Sequence, residues 1–318
     1  MKKTLMTILV SGLMLASCSK QEVSDNPLLQ KWDTPFETAP FEKIKVEHYL
    51  PAFEAAIAEH NKEIQAIIDN AEAPTFDNTI AALDYSGETL SKVAGVFFNM
   101  MAANTSEELQ KVNEQVGPMM ATHSDNVSMN AKLFEKIKAV YDAKDSQKYT
   151  GEQLALLEKT YNKFVRSGAL LDAAKQEELR KVNAELTKVE SKFDANLLKE
   201  SKAYQLVIDK EENLKGLPQG EIEKAAALAK QEGKEGKWIF TLDNPSFMPF
   251  VTYAENRDLR KEIFNARVNR CNNGGETDNN ALVAQMSELR AKKAQLLGYE
   301  TFAHYQLEER MAKEPKAV

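Results

Sequence analysis

The side chains in this 318-residue chain with the most specific chemistry are four histidines and two cysteines. A hydrolytic metal centre needs two or three ligands in fixed proximity, with a carboxylate to take a proton from water. The spacing that puts two imidazoles one turn apart on a helix is His-Glu-x-x-His. None of the four fits it. His48 is followed by Tyr49-Leu-Pro51, His60 by Asn61-Lys-Glu63, His123 by Ser124-Asp-Asn126 and His304 by Tyr305-Gln-Leu-Glu308. Only His304 and Glu308 stand four apart as a candidate ligand pair, on an otherwise ordinary amphipathic helix. His60, flanked by Glu59 and Glu63, reads as part of a solvated face. The residues present build no metal site, and no catalytic residue is assigned.

Nucleophiles fare no better. Cys271 lies beside Arg270 and Asn272-Asn-Gly-Gly275 with no local base, and a structural or surface thiol is the plainer reading. No Gly-x-Ser-x-Gly occurs, and Ser86-Gly87 sits inside an apolar heptad. Gly274-Gly275 is followed by no Gly-Lys-Ser/Thr and preceded by no strand, so a surface loop outweighs a phosphate cradle. Met100, Met101, Met119 and Met120 fall at core positions, where packing explains them.

Cys18 has a different setting. Met1-Lys-Lys3, the apolar run 5–15 and Leu15-Ala-Ser-Cys18 form a basic, apolar and small-residue series, the order of a secretory signal. The run is too short to span a bilayer. Leu-Ala-Ser-Cys is similar to a bacterial lipobox, so Cys18 is the expected lipid attachment, leaving no disulfide partner for Cys271. The formal charge of −7 argues against nucleic acid as a partner.

The elements that would position these groups are mostly helices. Residues 46–70 carry Leu50, Phe53, Ile57, Ile64 and Ile67 or Ile68 on one face, and 75–101 repeat the pattern with Ile80, Leu83, Leu90, Val93 and Phe97. Leu109, Val112, Val116 and Val127 mark a third helix, and 133–141 and 154–165 two shorter ones. The longest, 172–198, bears Leu179, Val182, Leu186, Val189 and Phe193 with Asp172 as N-cap. Trp238, Phe240 and Leu242 alternate with Lys237, Ile239 and Thr241 as in a strand, and Tyr204-Gln-Leu-Val-Ile-Asp209 is its expected partner. Asn244-Pro245 and Pro249 are expected to bar regular structure after it. Helices over 221–231, 258–269 and 279–297 follow, with Gly298 as a left-handed terminator and Thr301 capping the last. Pro315 reads as the start of a further helix, so the chain is expected to be cut from a longer one.

Residues 236–251, with Tyr253-Ala-Glu-Asn-Arg-Asp-Leu-Arg260, resemble the mid-chain segment of the thimet-oligopeptidase-like (M3) zinc metallopeptidases. The nearest branch is the bacterial peptidyl-dipeptidases. Supporting runs are Phe164-Val-Arg-Ser-Gly-Ala-Leu-Leu171, Gly274-Gly-Glu-Thr-Asp-Asn279, Leu289-Arg-Ala-Lys-Lys-Ala-Gln-Leu-Leu-Gly298 and Met311-Ala-Lys313. Ala39-Pro-Phe41 and Pro74-Thr-Phe-Asp-Asn-Thr79 extend the likeness over roughly 26–318.

The resemblance implies a mainly α fold: the multi-helix N-terminal half of a neurolysin/thimet-oligopeptidase-like structure, with one small β-hairpin or sheet near 204–209 and 237–243. The expected divisions are a lipoprotein signal peptide at 1–17, a tether at 18–33, a helical domain at 34–200, and a hairpin with helices at 201–318 leading into a zinc catalytic domain. It also implies zinc in the complete family protein, held by none of these residues, and short peptides as substrates. The expected function is one wall of a peptide channel in a lipid-anchored envelope metallopeptidase, this portion alone being inactive. The other reading is a non-catalytic helical lipoprotein that binds peptides or a protein partner. An in-frame continuation carrying His-Glu-x-x-His separates the two. Oligomeric state stays open.

Overall fold

The computed structural model describes residues 25–318. Cys18 and the signal segment lie outside the described residues. The rest is mainly helical with one two-stranded sheet, as the sequence pattern and the family resemblance require. It divides into two compact units, one running to Thr187 and including Ala291–Val318, the other Lys188–Arg290. Both divisions fall inside helices.

In the first unit, helix α1 (Tyr49–Asp69) serves two cores from one face. Its first half buries Tyr49, Ala52, Phe53 and Ala56 against Leu90, Val93, Val96 and Phe97 of α3 (Glu88–Ala103) and against Leu109 and Val116 of α4 (Glu107–Ser128). Its second half sends Ile64 and Ile67 into a cluster with Leu133, Phe134, Ile137 and Val140 of α5 (Ala131–Asp142) and with Leu157 and Phe164 of α6 (Gly151–Arg166). Steps of three and four along each helix put these side chains on one stripe. Starts are set by caps: Ser106, Asn130 and Thr150 each accept a backbone N–H from the first turn.

Two readings are corrected here. The expected helix over 75–101 breaks: a turn of π-helix, Phe76–Ala81, runs into short α2 (Ala82–Tyr85), and the chain restarts at α3 through Gly87 at φ +75°. That left-handed backbone favours glycine, and a β-carbon there would come within 3.0 Å of the His60 ring. The tether is shorter than 18–33. Leu28 is wholly buried in the first core, Asn26 Nδ2 donates to the His48 carbonyl at 2.8 Å, and Lys92 lies over the Trp32 ring at 4.0 Å. Residues 26–32 are therefore part of the fold.

Helix α7 (Ala173–Ala203) begins where Asp172 Oδ1 accepts the Lys175 N–H at 2.9 Å, and it buries Leu179, Val182, Leu186 and Val189.

The second unit holds β1 (Leu206–Ile208) antiparallel to β2 (Trp238–Phe240), with Leu206 opposite Phe240 and Ile208 opposite Trp238. Two strands of three residues are not stable alone. Helices α8 (Gln219–Gln231), α9 (Asn244–Tyr253) and α10 (Arg257–Val268) complete the core through Ala225, Phe247, Phe250 and Ile263. Ile239 is as buried as Phe240, so β2 is covered on both faces and its alternation is only partial. The prolines do not bar helix: Pro245 stands at the start of α9, where its missing N–H has no partner to lose, and Pro249 lies one turn further in. Arg267 steadies this start, donating to the Leu242 carbonyl and, at 2.7 Å, to Asn244 Oδ1. The chain continues into α11 (Asn280–Leu296), ended by Gly298 at φ +84°, and α12 (Phe302–Leu307), capped by Thr301.

Candidate functional site

The candidate metal pair does not converge. His304 Nδ1 lies 2.9 Å from Thr301 Oγ1, an N-terminal cap contact. Glu308 instead joins Arg166, the arginine of the 164–171 run. Arg166 donates to Glu308, to the Tyr299 hydroxyl at 3.2 Å and to the Tyr305 carbonyl at 2.7 Å, and it stacks on the Tyr305 ring at 4.4 Å. Burial, together with a hydrogen bond to Glu308, pushes the Tyr299 phenol up to about 12. This clasp ties 299–308 onto the end of α6, and it explains a sequence run for which spacing alone offered no role.

Cys271 is buried, and its N–H donates to Glu200 Oε2 at 2.8 Å. Burial and the adjacent Glu200 carboxylate raise the thiol to about 11, so little thiolate forms near neutrality. The same carboxylate accepts Thr277 Oγ1 at 2.9 Å and Asn273 Nδ2 at 2.5 Å. Gly274 gives its N–H to Asp278 Oδ2 at 2.8 Å. Asn196 donates to Asn279 Oδ1 at 2.8 Å. The glycine loop therefore spends donors within its own unit, anchored to α7 by Glu200 and Asn196. His48 Nδ1 accepts the Lys45 N–H at 3.1 Å, again a turn contact.

His60 overturns its solvated-face reading. Its Nδ1 lies 2.9 Å from His123 Nε2, and its Nε2 lies 3.1 Å from Ser86 Oγ. Glu63 faces the same point and accepts the Gly87 N–H at 2.7 Å. Burial lowers both imidazoles from their ordinary value, and for His60 the nearby Glu63 opposes that shift. His123 also lines a cleft of about 340 Å³ with Ile57, Asn61, Pro118, Met119, Thr122 and Asn126. A second cleft of about 320 Å³, in the other unit, is lined by Val251, Arg257, Arg260, Lys261 and Phe264.

The pairing across 63 residues carries no spacing signal, yet a quieter one exists. His60 extends the Phe53, Ile57, Ile64 stripe, and His123 falls between Val116 and Val127 at helical spacing. An imidazole inside an apolar stripe is a buried one, and a buried imidazole needs a polar partner.

Among the described residues, no three His, Cys, Asp or Glu side chains gather as metal donors, and no helix is long and apolar enough to cross a membrane.

Comparison with known proteins places this geometry. Residues 250–318 match Peptidase family M3. The chain is 35% identical to the dipeptidyl carboxypeptidase of Salmonella typhimurium over 93% of its own length and 44% of that protein's. It is 34% identical to the Escherichia coli dipeptidyl carboxypeptidase, over 92% and 43%. The oligopeptidase A of Escherichia coli is 29% identical over the same shares, 92% and 43%. The chain is similar to these peptidases along nearly its whole length, with its match to family M3 at residues 250–318, and it spans less than half of theirs.

Proposed function

We propose that this chain is the N-terminal portion of an envelope-anchored zinc metallopeptidase that degrades short peptides, and that it supplies a wall of the substrate channel. The observation that carries the reading is the similarity to two dipeptidyl carboxypeptidases over more than nine-tenths of this chain but under half of each relative. The donors described do not fit the catalytic zinc of such an enzyme. His60 and His123 spend ring nitrogens on each other, His304 contacts its own helix cap, and Glu308 is taken by Arg166. No catalytic step is assigned to these residues. A metal-activated water and its general base belong, in this proposal, to the remaining half of the longer polypeptide.

The polypeptide extended to the relatives' full length is expected to release dipeptides from the free C-termini of short peptides. C-terminally amidated peptides should survive; if they are cut internally instead, the activity is of the oligopeptidase kind. No cleavage of either substrate would overturn the peptidase reading and leave the peptide-binding lipoprotein.

Membrane attachment is assigned to a lipid on Cys18. Replacing Cys18→Ala is expected to abolish labelling by a fatty-acid probe and to leave the precursor uncleaved. Labelling that survives the substitution contradicts the assignment.

A further inference from the structure

The hydrogen bonds around His60 favour one arrangement of protons. Ser86 has one hydroxyl proton and gives it to the Leu83 carbonyl at 2.7 Å. Its oxygen therefore accepts at 3.1 Å from His60 Nε2, which places the His60 proton on Nε2 and leaves Nδ1 as a lone pair. That lone pair, 2.9 Å away, receives the proton of His123 Nε2. His123 Nδ1 is then the unprotonated end of the relay. Three donors point one way, from α4 through α1 to the turn that ends α2.

The relay joins α4, α1 and the Ser86–Gly87 break through polar contacts beside the apolar core. Glu63, one turn beyond His60 on α1, holds the Gly87 N–H at the break before α3. The His60 ring fills the space that a side chain at 87 would occupy. His123 is 6% exposed and borders the cleft of about 340 Å³.

We propose that His60, His123 and Ser86 form a proton-sensitive latch that closes α4 onto α1 and onto the Ser86–Gly87 break. One added proton is accommodated at His123 Nδ1 with the His–His bond intact. A second proton must go to His60 Nδ1, the acceptor of that bond, so the rings part and the cleft widens. Both imidazoles cannot be doubly protonated at 2.9 Å, because two N–H groups would then face each other.

The charges around the latch are few. Glu63 on α1 favours the charged His60 and Lys163 on α6 opposes it. On α4, Asp125 is held by Asn183 of α7 at 2.9 Å and stands near Lys293 of α11. Arg180 of α7 reaches the cleft through Asn126 at 2.9 Å. Because burial lowers both folded-state values, the latch contributes its full stability above the ordinary histidine range, about 6.5. That contribution is lost as pH falls from there through the lowered folded values.

The test is a ¹⁵N-histidine spectrum of the whole chain, whose four histidines keep it simple. At pH 8 both latch rings are expected to carry the proton on Nε2. On acidification His123 should protonate first. His60 should follow only in step with loss of hydrogen-exchange protection at the Gly87 amide. His60→Gln should return His123 towards an ordinary titration and remove the step at Gly87. The tautomer pattern of the unaltered chain tests the proposal even where that variant does not fold. A His123 proton on Nδ1 at pH 8 would overturn the latch. So would two rings titrating independently while Gly87 protection stays unchanged.

Discussion

Replacing Phe97→Ala is expected to remove about 3–5 kcal/mol of stability, among the largest losses from a single substitution in the first core. Phe97 is wholly buried, and its ring meets Tyr49 at 5.0 Å, Phe53 at 5.4 Å and Phe98 at 5.2 Å, all edge-on. Truncation removes the apolar burial, leaves a cavity between α1 and α3 and deletes edge-to-face contacts worth about 0.5–1.5 kcal/mol each. Against a total of about 5–15 kcal/mol, that is a large fraction. The reporter is built in: Trp32 packs on this core, so Trp238→Phe leaves one tryptophan to follow it in urea. The transition should move to markedly lower urea, with Phe97→Leu recovering much of the difference. A loss under about 1 kcal/mol would mean that the first core does not depend on this aromatic cluster.

Much of that core was legible in the sequence because it obeys one period. Phe53, Ile64, Ile67, Val93 and Phe97 all lie on stripes of three and four, and all are buried. The strand at Trp238 and its partner at Leu206 were legible from β-branched and aromatic bias, and they pair in the structure. Errors arose where backbone conformation or distant contacts outvote local pattern. Apolar spacing continues through Ser86-Gly87, yet the chain breaks there, since Gly87 can adopt φ +75° and Glu63 rewards the turn with a hydrogen bond. Pro245 and Pro249 looked like breakers because their position relative to a helix start is invisible before the start itself is known. Residues 26–32 read as a linker, since the adjacent Leu28 and Leu29 set no period to betray burial.

The grouped polar residues were harder still. Arg166 finds Tyr299 and Glu308 more than 130 positions away, and Glu200 finds Cys271 and Thr277 more than 70 away. Such pairings follow from how helices pack, and no local rule encodes them. The family resemblance singled out the runs that contain Arg166 and Asn279 without giving those residues a role. The clasp on 299–308 and the Asn196–Asn279 bond supply such a role: each ties a distant stretch of chain onto a helix of its own unit.

In the function we propose, this chain contributes scaffold and channel wall while the hydrolytic centre lies in the rest of a longer peptidase. Its most direct test is zinc content and turnover of a fluorogenic peptide, measured on the described residues 25–318 purified alone. Less than stoichiometric, readily dialysed zinc and no hydrolysis above the uncatalysed rate are expected, because no described histidine pair shares a carboxylate in ligand geometry. One tightly held zinc per chain, with turnover abolished by a chelator and restored by zinc, would contradict it.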